Sequence, residues 1–477
     1  MPGCFRNSVT RVSFGSVPMR NWGMAKRSSP DRSLTPSGNW WNSSTDTLEF
    51  HTGSQYTGRV SGFLPNPWDV AYMFSHFGRH LCSLLILSGA LSHAADTFTV
   101  TITPANSTSY SPVEIPLPEG VDANRHWEIV DAAGQRLPTQ PGLGKQPRLI
   151  VKTTPADGAK WTLRPAISPN SESPLHVSEK DGQLQLAQSS HPLLTYHTQP
   201  SQPPPGIAAH YSRSGHIHPL MVPGDRPITA EYPTDHPHQN GVFFAWVNTT
   251  FDNHEVDFWN LGKQLGCVRH KRLVESKSGE LFAGFTAELE HVDQTSRGTV
   301  VLNETWTVMA FPMQDGDREF YLVDLESKQI AASDKPLMVN EYHYGGFGWR
   351  GSTEWLSDSK DTRQAGCEFL TSERFDRVKG NHTRPEWVAV TGMIGGESCS
   401  IAIFGHPSNF RYPQPVRLHP SKPYFCFAPC VIGGFEISKE KPLTSKYRVV
   451  THTGPADPAL YSRLVKAWTH PPQVAVE

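Results

Sequence analysis

The stretch Gly298-Thr-Val-Val-Leu-Asn-Glu-Thr-Trp-Thr-Val-Met309 decides the fold class. Successive side chains of an extended strand point to opposite faces, so Thr305 and Thr307 share one face while Trp306 and Val308 share the other. Antiparallel sheets with one wet face give this alternation, whereas buried parallel strands give unbroken apolar runs. Residues 319–325, 388–391, 400–404 and 447–452 alternate in the same way. No βαβ rhythm, glycine-rich dinucleotide loop or phosphate loop appears, and only a short stretch, 457–467, reads as a helix. The expectation is an all-β chain with a large antiparallel β-sandwich over residues 175–470, its site carried on loops and strand ends.

Working outward, residues 98–103, 148–153 and 160–164 also alternate, with Pro104, Gly120, Gly134 and Gly158 as punctuation between them. They predict a small β module over residues 95–170. Composition agrees with a strand-and-turn chain: 41 prolines and 38 glycines accompany only 18% charged residues. The formal net charge of −2 gives no basic field for nucleic acid or an anionic membrane surface.

The first 72 residues are serine-rich, poor in aliphatic runs and without sustained periodicity. Met73 then opens a short cationic segment, followed by the apolar run 81–91 and by Ser92-His93-Ala94-Ala95. That order describes a secretory signal peptide over residues 73–94, too short to span a bilayer as a helix. Residues 1–72 are accordingly expected to be a disordered or mis-assigned extension, with translation starting at Met73. The mature chain is expected in a periplasm or secreted. It retains Cys267, Cys367, Cys399, Cys426 and Cys430, an odd number that leaves at least one thiol without a partner inside the chain. Cys426-Phe-Ala-Pro-Cys430 reads as packing or a local disulfide.

Seven of the 22 histidines lie from His210 to His270. Four of them fall in Arg213-Ser-Gly-His216-Ile-His218-Pro and in Asp235-His236-Pro-His238-Gln-Asn240-Gly241, with Trp246 and Asp257-Phe-Trp259-Asn260 following. Histidine titrates nearest neutrality and is also the commonest metal ligand, so the cluster fits proton transfer or a metal and leaves both open. His236 and His238, two apart, share a face if that segment is extended. A second dense element, Glu341-Tyr-His-Tyr344-Gly-Gly-Phe-Gly-Trp349-Arg350-Gly, offers a general base in Glu341 and an anion clamp in Arg350. His382, in Gly380-Asn-His-Thr-Arg384, is a weaker candidate.

In this order the motifs Ser-Gly-His-Ile-His-Pro, Asp-His-Pro-His-Gln-Asn-Gly, Asp-Phe-Trp-Asn, Glu-Tyr-His-Tyr-Gly-Gly-Phe-Gly-Trp-Arg-Gly and Gly405-His-Pro-Ser-Asn-Phe-Arg411-Tyr-Pro-Gln-Pro resemble the PmoA-related family of exported bacterial proteins. The resemblance spans roughly residues 175–454. It implies a β-rich pattern similar to the galactose-mutarotase-like supersandwich, whose enzymes and binding domains act mostly on carbohydrates. Its methane-oxygenase label would ask for a membrane span, and no run of about 20 apolar residues is present.

The leading expectation is therefore an exported carbohydrate-active protein using acid–base chemistry for epimerisation, lyase elimination or hydrolysis. Its catalytic set would be His218, His236, His238, Asp257, Glu341 and Arg350. Its substrate would be a carbohydrate or small molecule, bound by Arg213, Trp246, Trp259, Asn260, Trp349 and His382, without a cofactor. The first alternative is a copper or other transition-metal enzyme with His216, His218, His236 and His238 as ligands. The second is a non-catalytic glycan-binding module, in which the aromatic side chains matter and the histidines do not.

Overall fold

The computed structural model describes residues 97–103, 112–122, 125–144, 146–152, 159–166, 173–357 and 366–477. The expected extension and signal peptide lie outside the described residues.

The deciding stretch becomes part of the strand Thr299–Asp315, near the middle of an eight-stranded sheet. That sheet runs Gly266–Lys277, Ala283–Asp293, Thr299–Asp315, Arg318–Ala331, Leu443–Thr453, Glu397–Gly405, Trp387–Ile394 and Cys367–Thr371. Every pairing is antiparallel. Trp306 and Val308 point into the main core while Thr305 and Thr307 stay half-exposed. The strand runs on past Met309, where Met309, Phe311 and Met313 enter a second core.

That second core is closed by the helix Pro458–Thr469 through Leu460, Tyr461, Leu464 and Val465. Asp457 caps the helix, its carboxylate accepting from the amides of Ala459 (2.9 Å) and Leu460 (3.0 Å), and Pro458 sits at the first helical position.

Facing this sheet lies a nine-stranded one. Its order is Val416–Leu418, Tyr424–Phe427, Gly346–Arg350, Val242–Ala245, Ile217–Val222, His191–His197, Gln183–Gln188 and Leu175–Lys180, with Arg226–Pro227 added to Ile217–Val222. Rings from the two sheets interlock across the gap. Phe347 stacks on Tyr447 at 4.0 Å between centroids, and Tyr196 meets Phe285 at 4.7 Å. This is the large antiparallel sandwich. A four-stranded sheet, His254–Val256, Thr249–Phe251, Leu337–Val339 and Phe435–Ile437, lies beside it.

The N-terminal strands form two small sheets around their own core of Val100, Ile129, Trp161 and Leu163. The last strand of the chain, Gln473–Val476, returns to pair with Phe98–Thr103, an addition that the alternation of residues 98–164 does not announce. Gln140 ties these sheets to the sandwich, accepting from the amides of Leu281 (2.9 Å) and Phe282 (3.1 Å) and donating to the Phe282 carbonyl (3.0 Å).

All five cysteines of the described region are free thiols. Burial raises the pKa of each, which disfavours the reactive thiolate.

Candidate functional site

One loop and three strand ends converge on a cleft of about 260 Å³. It is lined by His236, His238, Gln239, Trp259, Asn260, His343, Tyr344, Arg417, His419 and Tyr424.

The loop is Asp235-His-Pro-His-Gln-Asn-Gly241. It is a turn, not an extended segment, so the face-sharing argument for His236 and His238 does not hold. Their rings instead meet edge to face at 5.7 Å. Asn240 Oδ1 accepts from the Tyr232 amide (2.8 Å) and pins the base of the turn. Gly241 then enters the buried strand at φ +57°, where a Cβ would lie 1.9 Å from the Ile217 carbonyl oxygen. Only glycine fits there.

Behind the loop, Arg350 ends the strand Gly346–Arg350 with a side chain 0% exposed. Its guanidinium grips Asp235 with two bonds, Nη1 to Oδ2 at 3.1 Å and Nη2 to Oδ1 at 2.6 Å, and reaches Gln239 Oε1 at 3.0 Å. Asp235 Oδ2 in turn meets His236 Nδ1 at 2.9 Å. A carboxylate on Nδ1 fixes the ring orientation and places the proton there, which leaves Nε2 to exchange a proton with a ligand. Despite the cost of burial, the bonds from His236 and Arg350 hold the Asp235 carboxyl well below the usual range. Of Arg350, Asp235 and His236, His236 is the most open, with its side chain 34% exposed.

Two further histidines face the same space as neutral rings. Burial, then the neighbouring His236 and Arg213, brings His238 down to about 3. Burial, then His236 and Arg417, brings His419 to about 4. His419 Nδ1 accepts from the amides of Ser421 (3.2 Å) and Lys422 (3.0 Å), so its proton sits on Nε2. Arg417 and His419 stand two residues apart where the edge strand Val416–Leu418 ends. Period-two geometry puts them on one face, with buried Leu418 on the other.

The opposite wall comes from Asp257-Phe-Trp259-Asn260 and from Tyr344. Asn260 Nδ2 bonds the Tyr344 hydroxyl at 3.0 Å. Burial pushes the Tyr344 phenol up to about 12, so it keeps its proton near neutrality.

Against the expected set, His236, His238, Trp259 and Asn260 line the cleft, and Arg350 supports it from behind. Asp257 is a correction. It is fully buried, and its oxygens accept from the Trp259 and Asn260 amides (3.0 and 2.8 Å), Asn260 Nδ2 (2.8 Å) and Lys263 Nζ (2.9 Å). It shapes the turn that presents Asn260.

Glu341 is also corrected. Its side chain is exposed and does not line the cleft, although His343 and Tyr344 of the same segment do. Trp246 and Trp349, like Trp259 in the cleft wall, are 0% exposed and have no face open to a sugar. Trp246 Nε1 donates to Gln329 inside the sandwich (2.7 Å), and Trp349 packs on Phe425 and Trp355.

Arg213 is buried beneath the loop, over the Phe243 ring, with a long bond (3.4 Å) to the His238 carbonyl. His382 does not line the cleft, and its Nε2 bonds the carbonyl of His343 (3.1 Å), which does. The expected set did not include Gln239, His343, Tyr344, Arg417, His419 or Tyr424. Gln239, His343 and Tyr344 lie within the dense motifs, and Arg417-Leu-His419 is an alternating polar–apolar–polar triplet.

The metal quartet does not converge. Among the described residues, the group whose ligand atoms all lie within 4.8 Å of one another is His197, His216 and Glu231. His218 instead bonds Thr229 Oγ1 through Nδ1 at 2.9 Å and lies outside the cleft. Within the trio, His216 Nε2 meets Glu231 Oε1 at 2.8 Å, His197 Nε2 donates to the His218 carbonyl at 2.8 Å, and the two rings stack at 4.4 Å. Ser201 donates to Glu231 as well. Most of the polar atoms are therefore satisfied within the protein. The exception is His216 Nδ1, buried without a partner.

None of the curated proteins matches this sequence. Among solved structures, an alpha-mannosidase from Enterococcus faecalis V583 is similar at 10% identity and a TM-score of 0.33, over 80% of this chain and 46% of that one. A protein in glycosyl hydrolase family 38 from Enterococcus faecalis is similar at 10% identity and a TM-score of 0.33, over 81% and 48%. The chain thus spans about half the length of each. The family model described as "Family of unknown function (DUF6807)" matches residues 183–466. With more than half of its length so matched, the chain belongs to this family of unknown function, DUF6807.

Proposed function

We propose that this chain is an exported carbohydrate-active protein whose cleft moves protons on a sugar, with His236 as the acid–base group. One observation carries the reading: the hydrogen-bonded series Arg350–Asp235–His236, which ends on a partly open imidazole in a lined cleft. A general base needs an oriented, accessible atom and a proton affinity suited to neutral pH. His236 has that orientation, while His238 and His419 stand beside it as neutral rings that can donate or accept hydrogen bonds.

Within the expected reaction types, the lining favours proton abstraction, epimerisation or elimination over hydrolysis. Most glycosidases flank the scissile bond with two carboxyl groups. Among the described residues, the lining of this cleft contains no Asp or Glu. Export is proposed from the cationic and apolar segments before Ala95. The motif resemblance to PmoA-related proteins adds the carbohydrate setting of the supersandwich fold.

The test follows a panel of mono- and oligosaccharides by proton NMR in deuterated buffer, which reads anomer exchange, epimerisation, elimination and hydrolysis together. His236→Gln is expected to slow the active substrate by about 10²- to 10⁴-fold. Turnover unchanged when His236 and His238 are both replaced by alanine would sink the proposal.

A further inference from the structure

We propose that the ligand of this cleft is an acidic sugar, a uronic acid or a chain of them, whose carboxylate pairs with the guanidinium of Arg417. The inference rests on the sugar reading above and names the substrate class that the lining selects.

The charge inventory of the cleft carries the argument. Its ten lining residues include an arginine and four histidines and, among the described residues, no carboxylate. Carboxylates standing close behind the lining are already neutralised, Asp235 by Arg350 and Asp257 by Lys263. Arg417 has no acidic partner among the described residues. Its side-chain hydrogen bond goes to the neutral Asn381 Oδ1 at 3.2 Å. A half-buried arginine without a counter-charge gains from an anion supplied by the ligand, and the low-dielectric walls of a cleft strengthen that attraction.

Donors around Arg417 suit a carboxylated sugar. The same Asn381 oxygen accepts from the Leu418 amide at 3.1 Å and so holds the strand that presents Arg417. His419 offers Nε2–H from the same strand face, and Tyr344 keeps its hydroxyl proton across the cleft. Trp259 packs in the wall, fully buried, with an indole N–H that has no partner in the protein. A planar guanidinium binds a carboxylate through two parallel bonds, while the neighbouring N–H and O–H groups can take ring hydroxyls.

Calorimetric titration of the full chain tests this with three probes: oligogalacturonate, the neutral galactose oligosaccharide of equal length, and citrate as a carboxylate that is not a sugar. Oligogalacturonate is expected to bind about tenfold or more tightly than the neutral oligosaccharide. Arg417→Met should erase that preference, so that oligogalacturonate binds no more tightly than the neutral oligosaccharide to the same variant. Arg417→Lys, which keeps the charge and loses the fork, should retain part of it and guards against a folding defect in the first variant.

Equal binding of neutral and acidic oligosaccharides, or a preference that survives Arg417→Met, overturns the uronate assignment and leaves the sugar reading standing. Binding of citrate through Arg417 without binding of any sugar overturns both. So does a lack of binding by all three probes.

Discussion

His216 and His236 stand twenty residues apart and both lean on a carboxylate, yet their surroundings are opposite. His216 is 0% exposed, stacked under His197 and bonded to Glu231, which Ser201 also holds. His236 is bonded to Asp235, which Arg350 holds from behind, and its ring reaches the cleft. In the first cluster the carboxylate closes the network on itself. In the second it leaves one ring nitrogen facing a ligand. The difference teaches that a histidine–carboxylate pair is chemically useful only when its far side is open, and that openness is decided by the elements packed around it.

The hardest blow to this contrast would fall on Arg350. Replacing it by methionine leaves Asp235 mostly buried with its cation gone, which costs about 3–5 kcal/mol of stability. Chemical denaturation should show that loss, and sugar turnover should fall with it because His236 loses its orientation. Unaltered turnover in a destabilised protein would mean that the series from Arg350 to His236 only supports the fold.

Glu231→Gln probes the closed cluster. It removes the charge from bonds to His216 and Ser201 and is expected to cost about 1–3 kcal/mol by denaturant midpoint, without change in cleft turnover. Should turnover vanish in a folded Glu231→Gln protein, the closed cluster would belong to the chemistry and the contrast would break.

A further test concerns pH, where the two clusters should behave alike. Burial lowers His216 and His238 to about 3, and His218 and His419 to about 4, all below the ordinary value near 6.5. Between these values the unfolded chain binds protons that the folded chain does not. Their contribution to stability is therefore complete above about pH 6.5 and is lost progressively as pH falls towards 4 and 3. Melting temperature measured from pH 7.5 to 4.5 should decline, and His216→Gln or His419→Gln should each flatten the decline. A melting temperature independent of pH over that range would show that these rings are hydrated in solution.

Much of the fold was legible because strands and helix caps are local. Alternation placed residues 298–309 in the strand Thr299–Asp315 and residues 400–404 in Glu397–Gly405, and Asp457-Pro458 marked the helix start. The inward face of the strand Thr299–Asp315 also carries a charge. Glu304 lies on the inward face with Trp306, and its carboxylate is held there by His291 Nε2 (2.7 Å), Trp306 Nε1 (2.7 Å) and Gln329 Nε2 (3.0 Å). A charge can follow the apolar face when distant strands supply its partners.

The site was legible in part. Dense histidine and aromatic motifs pointed to the loop that lines the cleft, and to Asn260 and Trp259 in its wall. They could not show that Trp246, Trp259 and Trp349 are all fully buried, because tryptophan serves core and cleft equally well.

By itself the sequence determined the all-β class, the antiparallel pairing and the histidine-rich loop, since each follows from neighbours a few residues apart. Tertiary structure alone decided which histidines face the cleft, that Arg350 grips Asp235 from 115 residues away, and that Arg417 and His419 join them from the sheet edge. Exposure, charge partners and proton affinity are sums over atoms brought together by packing, and no local pattern in the chain records that sum.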